Sequence, residues 1–65
     1  MIKAIIIDDE IQARKLLHVL IKTHCPQISI LDECIDLPNG VKSIRKHKPD
    51  LVFLDIQMKD GSGFD

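Results

Sequence analysis

The sequence predicts an α/β fold: a β-α-β-α-β unit on a parallel sheet, part of a doubly wound domain. Three observations point there. Short β-branched or apolar runs (IKAIII, ISILDECI, LVFLD) alternate with longer segments of helical spacing. Neither connection carries a hairpin turn signal, and both are long enough for right-handed crossovers between parallel strands. The first and third runs are apolar almost throughout, as in strands covered on both faces.

Ile2 to Ile7 is the first predicted strand, ended by Asp8-Asp9, which break strand character and suit the start of a helix. From Glu10 to about His24 the spacing becomes helical. Ala13, Leu16, Leu17, Leu20 and Ile21 form one apolar stripe, and Pro26 stops the segment. A second strand runs from about Ile28 to Ile35. Ile28, Ile30, Asp32 and Cys34 alternate there with Ser29, Leu31, Glu33 and Ile35, a mixed pattern that predicts a less buried edge strand.

Asp36 is placed to cap a second helix, with Pro38 tolerated in its first turn. Val41, Ile44 and Leu37 supply its expected inner face, and Lys42, Arg45, Lys46 and Lys48 lie near its C-terminus, where positive charge complements the dipole. Gly40 is expected to weaken this helix by about 1 kcal/mol relative to alanine. Pro49-Asp50 closes it, and Leu51 to Asp55 is the third strand. Ser62 could cap one more helix.

Composition narrows the function classes. The 65 residues carry a formal net charge of −1, with 45% hydrophobic and 29% charged residues, so no basic surface suggests nucleic-acid binding. A chain near this size buries roughly 60% of its unfolded surface, and is marginal alone. Cys25 and Cys34 fit no metal spacing and are read as buried free thiols of a reducing compartment. His18, His24 and His47 share no metal spacing either and are read as surface or helix-end residues. The opening MIKAIIIDDE is too short and too quickly acidic for a signal peptide, and no run approaches a membrane span. A soluble cytoplasmic protein with no membrane partner is expected.

In a parallel α/β sheet all strands end at one edge, where ligands bind. Asp8 and Asp9 end the first strand and Asp55 ends the third, so neighbouring strands would bring three carboxylates together. Each acid alone has a plain structural role: Asp8 and Asp9 as helix caps, Asp55 as a solvated strand end. Together they repel, and a hard cation such as Mg²⁺ would relieve that. Mg²⁺ held by carboxylates also recruits phosphate oxygens, and a carboxylate there can act as nucleophile towards phosphorus.

The stretches IIIDDE and KPDLVFLDIQMKDGSGFD resemble, in order and separation across the whole chain, the receiver domain of two-component response regulators. HCP and HKPDLVFLDIQM are most similar to receivers that precede LytTR-type DNA-binding domains. The resemblance implies a flavodoxin-like sheet of order 2-1-3 for these three strands. It implies that Asp55 accepts a phosphoryl group from a sensor histidine kinase, that Asp9 coordinates Mg²⁺ directly, and that Asp8 helps largely through water. The backbone carbonyl of Gln57 would be a further ligand, and Gly61 and Gly63 would shape the following loop. Lys59 departs from the family, which usually has proline there.

The same resemblance implies that residues 1–65 are the N-terminal portion of a receiver domain. Strands four and five, their helices, the lysine that pairs with the phosphate and any DNA-binding effector domain would lie outside it. The outer edge of strand three would then be unpaired, so a homodimer or swapped assembly through that edge is expected. The expected role is regulatory, not that of an enzyme. An aspartate-nucleophile phosphohydrolase is the alternative, but it needs a second aspartate where Gln57 stands. A phosphorylation-incompetent interaction module is a third.

Overall fold

The computed structural model describes residues 1–55. It contains β1 (Ile2–Ile7), α1 (Ile11–His24), β2 (Ile28–Cys34), α2 (Leu37–His47) and β3 (Leu51–Leu54), in the expected order. The strands form one parallel sheet of order β2-β1-β3. β1 is therefore central, and Ala4 to Ile7 are all buried, as a continuous β-branched run requires of a strand covered on both faces. β2 is an edge strand, half-buried for most of its length. The outer edge of β3 pairs with no strand among the described residues, and Leu51 and Leu54 are 38% and 48% exposed.

Each sheet face carries one helix. Ile5, Ile7 and Cys34 form a core with Leu37 and Ile44 of α2 and Val52 of β3. Ala4 and Ile6 alternate with them towards α1. α1 is narrower in contact than its stripe suggests. Ile21 is buried and Ala13 and Leu17 are half-buried, but Leu16 and Leu20 are 61% and 44% exposed. A helix lying on a flat sheet buries one arc of its surface, and this stripe is wider than the arc that the described strands cover.

β2 departs from strict alternation. Its register with β1 shifts between Ala4 and Ile5, so that Ile30 faces Ala4, Asp32 faces Ile5, and Leu31 has no partner. This is a β-bulge: one extra residue on β2, absorbed locally. As a result Asp32 does not share a face with Ile28 and Ile30. It accepts a hydrogen bond from Ser43 Oγ of α2 at 2.5 Å, while Glu33 turns to α1 and meets His18 Nδ1 at 2.7 Å.

α2 is also rotated from the sequence expectation. Its buried residues are Gly40 and Ser43, whereas Val41 is 44% exposed. Gly40 packs directly on Ile7, and a Cβ there would lie 2.9 Å from Ile7 Cγ1 and closer still to Cδ1. The glycine is needed for close approach of helix to strand. Asp36 caps α2 as expected, its Oδ1 accepting from Asn39 N at 2.9 Å. The helix closes at Lys48, whose φ of 48° is left-handed and whose N–H donates to Ile44 O at 2.8 Å.

Asp50 fixes where β3 joins the sheet. Its N–H donates to Lys3 O at 2.8 Å, and its Oδ2 accepts from Lys3 N at 2.9 Å. From that clasp the register runs Ala4 with Leu51 through Ile7 with Leu54. Cys25 is half-buried, not buried, because it ends α1 with its N–H on Ile21 O; Cys34 is buried, and both are free thiols. No helix of the described residues is long and apolar enough to cross a membrane.

Candidate metal centre

The register carries the acids together. Ile7 lies beside Leu54, and Asp55 N donates to Ile7 O at 3.0 Å, so one further step along each strand brings Asp55 next to Asp8. Asp8, Asp9 and Asp55 each offer a carboxylate oxygen, and these oxygens all lie within 4.8 Å of one another. Asp8 and Asp55 are half-buried and Asp9 is exposed. The convergence expected from the sheet topology is therefore present, on adjacent strands at their C-terminal ends. Asp8 and Asp55 also line a cleft with Ile6, Leu17 and Phe53, which gives the acids a partly apolar wall.

Helix capping does not account for the acidic pair. The N-cap of α1 is Glu10, with no side-chain cap hydrogen bond. Asp8 Oδ1 instead accepts from Glu10 N at 2.9 Å, a local turn that holds the carboxylate at the strand end. The Asp8 N–H donates to Cys34 O on β2 at 2.9 Å. The Asp8 carbonyl accepts from Arg14 Nη1 at 2.8 Å. Arg14 was not singled out in the sequence; the signal available was a cation on the first turn of a helix that begins just after two aspartates.

The donor set suits a small hard cation. It is made of carboxylate oxygens with no histidine or thiol among them, and spacings under 5 Å let one ion reach all of them. Gln57, the predicted backbone ligand, lies outside the described residues, as do Lys59, Gly61, Ser62 and Gly63. The other polar cluster, Asp32 with Ser43 and Cys34, is on β2 and α2. There the Ser43 hydroxyl holds the Asp32 carboxyl below its usual range, against a smaller opposing effect of burial. Burial pushes the Cys34 thiol up.

A parallel α/β sheet with three aspartates at the C-terminal ends of the adjacent strands β1 and β3 defines a class: part of a doubly wound domain with an acidic pocket at its sheet edge. The family model for the response regulator receiver domain matches residues 4–65, and the chain belongs to that family. It is 37% identical over 65 residues to the sensory transduction protein LytT of Bacillus anthracis, covering 100% of this chain and 26% of the relative. It is 42% identical over 65 residues to the transcriptional regulatory protein BtsR of Escherichia coli K12, covering 100% of this chain and 27% of the relative. LytT of Enterococcus faecalis is 41% identical over 61 residues, covering 94% of this chain and 25% of the relative. The chain thus spans about a quarter of the length of these curated relatives. No solved structure matches it.

Proposed function

We propose that the chain is the phosphoacceptor part of a two-component switch, with Asp55 as the phosphoryl acceptor. The observation that carries this reading is the meeting of Asp8, Asp9 and Asp55 within 4.8 Å in a chain that belongs to the receiver family. Asp55 attacks the phosphorus of a phosphohistidine on a sensor histidine kinase. The P–N bond breaks, the imidazole leaves with a proton, and an acyl phosphate remains on Asp55. Asp9, Asp55 and the Gln57 carbonyl would hold Mg²⁺, with Asp8 helping largely through water, and the ion would offset the charge on the phosphoryl oxygens. Ile6, Leu17 and Phe53 form the apolar wall of the cleft beside the acceptor.

In this reading residues 1–65 are the N-terminal portion of a receiver domain in a cytoplasmic regulator whose output is DNA binding through an effector domain. The similarity to BtsR, a transcriptional regulatory protein, supports that output. The outer edge of β3, which pairs with no strand among the described residues, supports self-association of the 65-residue chain as a homodimer or swapped assembly. Treating the protein with a small phosphodonor and Mg²⁺, then measuring intact mass, tests the assignment. One phosphoryl adduct is expected on the wild type and none on Asp55→Asn. No adduct on the wild type, or an equal one on the variant, rules out Asp55 as the acceptor.

A further inference from the structure

Arg14 is half-buried on the first turn of α1, one turn from the acids. Its main chain and side chain both bind the turn that carries them. The Arg14 N–H donates to Glu10 O at 3.1 Å, the Glu10 N–H donates to Asp8 Oδ1 at 2.9 Å, and Arg14 Nη1 donates to Asp8 O at 2.8 Å. These three bonds close a ring from β1 to α1, and Asp9 lies inside it. The Asp8 N–H is meanwhile fixed to Cys34 O on β2. Asp8 is thus gripped by a neighbouring strand, a turn and a helix at once.

The choice of acceptor is informative. A guanidinium forms its strongest bonds with carboxylates, often two at a time. Here, with three carboxylates close by, Nη1 is spent on a backbone carbonyl. A bidentate Arg14–Asp8 carboxylate pair would occupy the oxygens a cation needs. A bond to the carbonyl instead restrains the main chain and keeps the carboxylate turned to the pocket.

We infer that Arg14 is a positioning residue for the cation site: it holds the β1–α1 turn so that Asp8 and Asp9 face Asp55. This rests on reading the acids as a cation site. Its removal has two effects of opposite sign. Loss of a positive charge near the acids strengthens binding of an incoming cation, whereas loss of the hydrogen bond loosens the turn and weakens it. Outer-shell partners of metal ligands typically contribute about 10- to 100-fold to affinity, so the positioning effect is expected to prevail.

The experiment is a Mn²⁺ titration of the wild type, Arg14→Met and Arg14→Lys, read by the electron paramagnetic resonance of free Mn²⁺. Methionine keeps the aliphatic bulk and helix propensity but has no donor, and lysine keeps both donor and charge. Arg14→Met is expected to bind Mn²⁺ about tenfold more weakly, and Arg14→Lys to recover most of that loss. Equal or tighter binding by Arg14→Met overturns the inference. The Glu10 amide resonance, followed by ¹⁵N NMR without metal, gives a readout that needs no cation. It is expected to move upfield in Arg14→Met and to stay in place in Arg14→Lys, and an unmoved Glu10 amide in Arg14→Met overturns the role of Arg14. A wild type that binds no Mn²⁺ refutes the cation site itself, which separates that failure from a failure of Arg14.

Discussion

Replacing Gly40 with alanine sets two energies of known sign against each other. Alanine is the better helix former, and in an exposed helix interior the change would stabilise by about 1 kcal/mol. At this position the new Cβ lands 2.9 Å from Ile7 Cγ1, with Cδ1 nearer still. The Cδ1 atom can swing aside, but Cγ1 moves only if the side chain changes rotamer or the strand shifts. Ile7 is 2% exposed and lies in the central strand, so neither movement is free. Overpacking of this kind costs about 1–3 kcal/mol, and the net expectation is a loss of about 1 kcal/mol. Urea unfolding followed by circular dichroism measures it; with a slope of about 1 kcal/mol/M for a small domain, the midpoint falls by about 1 M. Ile7→Val removes the nearest atom and alone costs about 1 kcal/mol. Combined with Gly40→Ala it should show a favourable coupling of about 0.5 kcal/mol, because it removes the Cδ1 contact but leaves the one at Cγ1. A Gly40→Ala protein more stable than wild type, with additive behaviour in the pair, would refute the packing argument.

Two further expectations concern the β2–α2 junction. Ser43→Ala removes the hydroxyl that holds the Asp32 carboxyl below its ordinary value of 3.8, and should cost about 1–2 kcal/mol at neutral pH. Because the folded-state value is depressed, that contribution is present above pH 3.8 and fades as pH falls through the folded value; a wild-type-to-variant gap that widens on acidification contradicts the assignment. With a thiol reagent under native conditions, half-buried Cys25 should react well before Cys34, which is 6% exposed and whose thiol is pushed up by burial. Equal rates would mean that the α2 face opens readily.

The elements and the acidic pocket were legible in the sequence because both depend on patterns that survive without tertiary information. A β-branched run before Asp8-Asp9 and an apolar run before Asp55 mark strand ends, and parallel topology then sends all three acids to one edge. The order β2-β1-β3 followed from the family resemblance and agrees with the buried character of β1. What escaped depends on how surfaces meet. Hydrophobicity assigned Val41 to the inner face of α2, but the close approach to Ile7 favours the small residues Gly40 and Ser43 there. Gly40 reads locally as a weakness and in the fold as a fit. The roles of Arg14 and Asp50 rest on hydrogen bonds to backbone groups six and 47 residues away, which no local period encodes. The bulge at Leu31 adds one residue without altering composition or period enough to be seen.

That bulge governs the parity of β2. Odd and even positions exchange sides at Leu31, so Asp32 serves α2 and its immediate neighbour Glu33 serves α1. Were Leu31 drawn into regular pairing, every later residue would reverse: Asp32 would leave Ser43, Glu33 would leave His18, and Cys34 would quit the core beside Ile7. Excision of Leu31, by contrast, leaves the sides unchanged. A single-residue deletion, ordinarily ruinous inside a strand, has in this sheet one position where it preserves which side each remaining side chain faces.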